Sequence, residues 1–173
     1  VKNSGTIHAD GGQVILQASA AGDIFSSVVN QSGVIRARSL THEDGIVRLD
    51  GGESGQVTVA GTIDASGPAS GQTGGRVSLL GESVTLTPTA RIDVSGAGGG
   101  GTALIGGQFQ GRGTEPTATT TLVADRASIS TDALTQGTGG TVIVWADGHT
   151  QYAGTISAQG GASGGHGGFV EVS

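Results

Sequence analysis

Apolar residues in this chain come in short bursts, rich in β-branched residues, that are separated by glycine and polar residues. Within a burst, apolar and polar positions alternate, which is the period of a strand with one buried face. The i, i+3, i+4 spacing of an amphipathic helix fails everywhere beyond one or two turns. Glycine every few residues would also cost a helix about 1 kcal/mol per residue. The pattern therefore predicts many short strands joined by tight turns, and no helices.

The bursts recur with a period of about 28 residues. A first motif, Gly-Thr-Ile-x-Ala in its clearest copies, starts at positions 5, 33, 61, 90, 127 and 154, with steps of 28, 28, 29, 37 and 27 residues. A second motif, Gly-Gly-x-Val-x-Leu/Val, starts at 11, 74, 139 and 167, with variants at 44 and 100. A third burst lies at 24–29, 56–60, 83–86, 119–124 and 149–152. Each period thus holds three short strands and three turns.

Three such strands cannot enclose a core alone, but stacked repeats can. We therefore expect an all-β fold, a right-handed parallel β-helix (β-solenoid) of triangular section, with three short strands per coil and about six coils. Strand twist and parallel crossovers favour the right-handed sense. A strand spacing of about 4.8 Å makes the rod roughly 25–30 Å long. Residues 1–173 are predicted to be a single β-helix segment of a longer rod, with 108–118 as a loop that leaves it.

Alternation along the first motif places its isoleucine in the interior. Stacked β-branched side chains nest on their neighbours in register and form a dry structural ladder. The predicted ladder consists of Ile7, Ile35, Ile63, Ile92, Ile129 and Ile156. The next residue in every copy is polar and points outward. We also expect the paired glycines before the second-motif strands to adopt positive φ at the corners.

Composition then narrows the function. The 35 glycines among 173 residues first suggest disorder, but their regular spacing assigns many of them to corners between strands. The absence of cysteine excludes a disulfide scaffold and a thiolate metal site. A net charge of −6 argues against a nucleic-acid partner. The longest apolar runs, of four or five residues, are far too short to span a membrane.

Candidate chemistry is sparse. Asp64 and Asp93 are expected to stack on neighbouring coils, where two close carboxylates could serve a glycosidase or hold calcium. The alternative is a solvated column in which Arg36 pairs with Asp64. The glycine run at 98–101 lacks the aspartate of calcium-binding repeats and the Gly-Lys-Ser/Thr of a phosphate loop. The chain has four histidines, and their spacing is not that of metal ligands. They are His8, His42, His149 and His166.

Trp145 and Tyr152 are the only large aromatic side chains with a polar group. Alternation along the strand directs Trp145 outward, and an exposed ring can stack on a sugar. Both residues are therefore candidate glycan contacts. The alternative for Trp145 is that it covers the corner at Asp147 and Gly148. We expect no catalytic residue, no cofactor and no metal, so the chain is predicted not to be an enzyme.

The stretches GGTVIVWADG (139–148), YAGTISA (152–158) and GGFVEVS (167–173) resemble repeats of secreted exoproteins of two-partner secretion systems. Filamentous haemagglutinin and the high-molecular-weight adhesins are members of this family. Residues 30–52 resemble the family's first coils after the secretion domain. The family's asparagine-rich secretion motifs are not seen, since Asn3 and Asn30 are the only asparagines.

The resemblance implies an internal β-helix segment, the structural shaft of a large adhesin that mediates adhesion, aggregation or biofilm contacts. It implies export through an outer-membrane transporter and an extracellular or outer-membrane location on a Gram-negative bacterium. Expected partners are this transporter and surface glycans or exopolysaccharide, together with end-to-end or side-by-side self-association. The alternative is a β-helix protein that binds or degrades polysaccharide.

Overall fold

The computed structural model describes residues 1–18, 28–40 and 43–173. These residues form eighteen strands and one short 3-10 turn, Phe109–Gly111. In chain order the strands are β1 (Lys2–Asn3), β2 (Thr6–His8), β3 (Gln13–Gln17), β4 (Val28–Gln31), β5 (Val34–Arg36), β6 (Ile46–Asp50), β7 (Gln56–Val59), β8 (Thr62–Asp64), β9 (Arg76–Leu80), β10 (Ser83–Leu86), β11 (Arg91–Asp93), β12 (Thr102–Ile105), β13 (Thr120–Val123), β14 (Ser128–Ser130), β15 (Thr141–Val144), β16 (His149–Tyr152), β17 (Thr155–Ser157) and β18 (Phe169–Val172).

Every third strand joins the same sheet, so the chain winds through three parallel six-stranded sheets. Sheet A contains β1, β4, β7, β10, β13 and β16; sheet B contains β2, β5, β8, β11, β14 and β17; sheet C contains β3, β6, β9, β12, β15 and β18. The fold is a right-handed solenoid of about six coils with a triangular section. No α-helix occurs in the described residues. The predicted fold class is confirmed.

The core is built from identical positions stacked coil upon coil. Ile63 pairs in register with Ile35 on one side and Ile92 on the other, and all three are buried. Ile129 and Ile156 continue this column, and Ile7 begins it. In sheet C the inward columns carry valine, alanine, leucine and isoleucine, as in the paired positions Val77 and Ala103 or Leu79 and Ile105. Because each side chain lies on a similar one, the aliphatic columns exclude water along the stack.

The first coil differs from the prediction in its strand bounds. The third burst was expected at 24–29, but β4 begins at Val28 and ends at Gln31. Residues 24–27 lie outside the described part of the chain, as does His42. Gln31 faces the core and is fully buried, where its Nε2 donates to the carbonyl oxygen of Gly33 at 2.9 Å. Its Oε1 accepts from Asn3 Nδ2 at 2.7 Å, so this amide pair replaces two aliphatic positions of the column.

The predicted role of the paired glycines is wrong at most positions. Gly75, Gly101, Gly140 and Gly168 precede sheet C strands, and none has positive φ. A β-carbon at any of them would instead collide with the glycine carbonyl of the preceding coil, starting with Gly45. Glycine is required here because the corners of successive coils approach closely, and a methyl group would force them apart.

Candidate functional site

The outer face of sheet B carries the stacked carboxylates of Asp64 and Asp93, which pair in register on β8 and β11. Asp64 Oδ1 accepts hydrogen bonds from Ser66 Oγ at 2.6 Å and from the Ser66 backbone nitrogen at 3.1 Å. Asp93 repeats this arrangement with Ser95, at 2.5 Å and 2.9 Å. Each aspartate therefore closes the turn after its strand, as Asx turns do.

The ion pairs of this face differ from the predicted one. Arg36 pairs with Asp10, whereas Asp64 Oδ2 accepts from Arg38 Nε at 2.8 Å. The predicted Arg36–Asp64 pair is wrong although the two residues are in register, because Arg36 donates to both carboxylate oxygens of Asp10 and Arg38 takes Asp64 Oδ2. The hydrogen bond from Arg36 lowers the pKa of Asp10 below its ordinary value, assisted by the backbone nitrogen of Arg38.

A shallow groove of about 340 Å³ runs beside the two aspartates. Its other polar lining comes from Thr62, Arg91 and the hydroxyl groups of Ser128 and Ser130. Within the described residues, no group of three or more His, Asp or Glu side chains is arranged to hold a metal ion. The same residues contain no helix long and apolar enough to cross a bilayer.

The two aromatic candidates lie in different environments. Tyr152 occupies the inward register of sheet A, where it pairs with Val123 and packs against the core. Partial burial raises the pKa of its hydroxyl above the ordinary value, against the opposing effect of a backbone hydrogen bond at Ile156. Trp145 follows β15 at the corner between sheets C and A and is half-buried. The structure therefore does not bring the two rings together on one surface.

Residues 107–117, hereafter the strap, lie between β12 and β13. The strap is closed at its base, where the backbone nitrogen of Ala118 donates to the carbonyl oxygen of Gly106 at 2.6 Å. Loops with such adjoining ends are compact Ω-type loops. The loop predicted at 108–118 was expected to leave the rod, but the strap folds back onto the rod.

The strap packs against the ring of Trp145. A β-carbon at Gly107 would lie 3.0 Å from Trp145 Cδ1, and one at Gly111 would lie 2.8 Å from Nε1. Asp147 joins ring and strap, because Oδ1 accepts from Trp145 Nε1 at 2.9 Å and Oδ2 accepts from Thr117 Oγ1 at 2.6 Å. These bonds, that from Thr117 first, lower the pKa of Asp147 below its ordinary value.

The strap is also tethered at two distant points of sheet C. Arg48 Nη1 on β6 donates to Glu115 at 2.7 Å, while Arg48 Nη2 donates to Asp50 at 2.8 Å. Although partial burial lowers the pKa of Arg48, these hydrogen bonds raise it above its ordinary value overall. At the other end, the backbone nitrogen of Gln110 donates to Glu171 of β18 at 3.2 Å.

An aromatic contact reinforces the second tether. The rings of Phe109 in the strap and Phe169 on β18 meet edge to face, with centroids 5.5 Å apart. Edge-to-face pairs of this kind add to the stabilisation from burial alone. The strap therefore spans sheet C from β6 to β18, a distance of four strand steps or about 19 Å.

Between its tethers the strap lies over two apolar residues of an outward column of sheet C. By the pairing register, this outward column of sheet C reads Ile15, Arg48, Ser78, Leu104, Ile143 and Glu171. Leu104 and Ile143 point away from the core by alternation, yet they are only 4% and 2% exposed. Ile15, beyond the reach of the strap, is 55% exposed. The sequence indicated the extra residues of this coil but not that the strap would bury these two side chains.

Comparison with solved structures gives a match over almost the whole chain. The structure is similar to the crystal structure of the HMW1 secretion domain from Haemophilus influenzae, with a TM-score of 0.82 and 29% sequence identity. The match covers 99% of this chain and 43% of the HMW1 chain, so this chain spans less than half of that protein's length. No protein-family model matches the sequence, and no curated protein matches it either.

Proposed function

We propose that this chain is a structural shaft segment of a large secreted or cell-surface bacterial adhesin of the two-partner secretion type. The observation that carries the proposal is the similarity to the HMW1 secretion domain over 99% of the chain. The repeats that resemble exoproteins of this class support it independently. In the proposal, the parent protein passes through its outer-membrane transporter and stands on the outer surface of a Gram-negative cell.

The physical basis of a shaft is the uninterrupted stack. Each of the three sheets continues through six strands, so backbone hydrogen bonds run along the whole rod. Each coil adds about 4.8 Å of length. Such a rod holds a binding region away from the cell at a fixed distance, and its contribution to adhesion is mechanical.

A non-enzymatic role is part of the proposal. A retaining glycosidase needs one carboxylate free to attack the sugar and one acid to protonate the leaving group. Asp64 uses both oxygens, toward Ser66 and Arg38, and Asp93 closes a turn with Ser95. These contacts favour a structural role for both aspartates. The contribution of Trp145 to the strap likewise favours packing over glycan binding.

The experiment is an in-frame deletion in the parent protein, expressed with its transporter. Removal of residues 61–89 excises one coil and joins Ala60 to Ala90 in register, because Gly61 and Ala90 begin equivalent motifs. Removal of residues 76–89 excises half a coil and is the matched control. A shaft tolerates the first deletion, with surface level and cell adhesion retained, and loses folding with the second.

Two results would contradict the proposal. If cells lacking the parent protein adhere and aggregate normally, it is not an adhesin. If the whole-coil deletion leaves the surface level unchanged but abolishes adhesion, the segment carries the binding site itself and is more than a shaft.

The similarity to HMW1 also favours a second candidate, a role in export. The matched HMW1 region is a secretion domain, and this chain covers 43% of it. Under this alternative, the segment contributes to recognition by the transporter. Binding of the purified chain to the periplasmic part of the partner transporter would support it, and export unaffected by deletion of the whole segment would refute it.

A further inference from the structure

The face of sheet C under the strap is self-complementary, which means that it can pair with the same face of a second copy. The outward column of sheet C has a positive residue near one end, Arg48, and a negative residue at the other, Glu171. Leu104 lies midway between them, two strand steps from each. If two such columns meet in antiparallel orientation, Arg48 of each copy faces Glu171 of the other. Leu104 then meets its own counterpart on the two-fold axis.

This arrangement has the layout of a symmetric protein interface. Leu104 of the two copies meets at the centre, Ile143 of each copy faces Ser78 of the other on either side, and charge pairs stand at the two edges. A two-fold axis makes both edges equivalent, as in isologous dimers. The strap already binds both charged groups, because Arg48 Nη1 donates to Glu115 and the Gln110 nitrogen donates to Glu171. Lifting the strap would free Arg48 Nη1, Glu171 and the apolar side chains together, while Arg48 Nη2 stays bonded to Asp50.

We propose that the strap is a removable cover and that the sheet C face beneath it binds a second copy of this chain in antiparallel orientation. The strap is built to move as one piece, since its ends meet at the hydrogen bond from Ala118 to Gly106. It contacts the rod at Trp145, Asp147, Arg48 and the final strand β18, and it lies over Leu104 and Ile143. In the closed state it keeps neighbouring rods apart at this face.

The direct test is excision of the strap from the 173-residue chain. Residues 107–117 are replaced by Asn-Gly, which supplies the two central residues of a β-turn closed by the existing hydrogen bond from Ala118 to Gly106. Sedimentation velocity then compares this variant with the unmodified chain at equal concentration. The proposal expects the excised chain to dimerise at about 100 µM, with the unmodified chain dimerising at least about tenfold more weakly.

Charge reversal identifies the interface within the excised chain. Arg48→Glu alone and Glu171→Arg alone each place like charges at both edges, so each should weaken the dimer by about tenfold or more. A mixture of the two variants restores opposite charges at both edges and should form a heterodimer. This rescue separates the sheet C face from contacts between the ends of the rod, which neither substitution alters in this complementary way.

A folded excised chain that stays monomeric, or a dimer indifferent to the charge reversals, overturns the proposal. If excision prevents folding, as judged by circular dichroism, a full-length variant takes its place. Phe109→Ser combined with Glu115→Gln loosens both tethers and keeps the strap. Dimerisation of that variant, with the same mixing rescue, supports the proposal, and a folded monomer refutes it.

Discussion

The close approach of the coils at Gly61 gives a sharp prediction for the substitution Gly61→Ala. The backbone φ of Gly61 is one that alanine also adopts, so the new methyl group tests space alone. Its β-carbon would lie 2.7 Å from the carbonyl carbon of Ser32 and closer still to the carbonyl oxygen of Gly33. Ordinary van der Waals contact begins at 3.4 Å. The two coils must therefore separate locally.

Separation strains the hydrogen bonds that join these coils. The backbone N–H of Gly61 donates to the backbone carbonyl oxygen of Gln31 at 3.1 Å, and that of Thr62 donates to the carbonyl oxygen of Gly33 at 3.0 Å. Loss of two such bonds costs about 1 kcal/mol each, and overpacking adds about 1 kcal/mol or more. We expect Gly61→Ala to lower the free energy of unfolding by about 3 kcal/mol. For a chain of this size, that lowers Tm by roughly 6–12 °C.

Thermal unfolding followed by far-ultraviolet circular dichroism measures the shift. Gly5→Ala is the matched control, because Gly5 begins the same motif in the first coil and its nearest neighbour would be 4.0 Å away. We expect the control to change stability by less than about 0.5 kcal/mol. Alanine substitutions at Gly168 and Gly167 repeat this comparison within one coil. A β-carbon would be crowded at Gly168 and would have space at Gly167. Equal Tm values for Gly5→Ala and Gly61→Ala would refute the reasoning.

Three further predictions concern single side chains. Ile63→Ala empties the middle of the isoleucine column and should cost about 2–5 kcal/mol in chemical denaturation; a loss below about 1 kcal/mol would contradict the buried ladder. Arg126 has φ +65°, so Arg126→Gly should stabilise the chain by about 1 kcal/mol in the same assay, whereas destabilisation would show that the side chain matters more than the strain. Asp147 has a pKa below its ordinary value of 3.8 because Thr117 and Trp145 donate to its carboxylate. This contribution is present above pH 3.8 and is lost as the pH falls through the lowered pKa, so Trp145 fluorescence should stay constant above about pH 5 and change only below 3.8. Asp147→Asn should remove that acid transition, and its persistence would count against the assignment.

The repeat made the architecture predictable. The alternation within each motif and its 28-residue period fix which residues stack, so the sequence alone assigns Ile35, Ile63 and Ile92 to one interior column. The sequence places the glycine-rich motif at the corners, but it does not reveal why glycine is required there. Only the packed coils reveal that Gly75 is needed for the close approach of Gly45 rather than for positive φ.

Contacts outside the repeat were not predictable in this way. Arg48 and Glu115 are 67 positions apart, and no period relates them. The strap therefore appeared in the sequence only as extra length in one coil. Arg36 was assigned to Asp64 because the two occupy adjacent levels of one column, whereas its long side chain reaches Asp10 at the corner instead. The outward positions of Leu104 and Ile143 did not predict a cover by themselves, since Ile15 in the same column is apolar and exposed.

The most direct test of the shaft measures the stiffness and rise of the stack itself. Thr6 and Thr155 are exposed and occupy the same outward column of sheet B, five strand steps apart. Cysteines introduced at these two positions can carry spin labels, since the chain has no cysteine of its own. At about 4.8 Å per step, pulsed electron paramagnetic resonance should give one narrow distance distribution centred near a backbone separation of about 24 Å. A broad distribution extending to much longer distances would mean a flexible glycine-rich chain and would contradict the shaft.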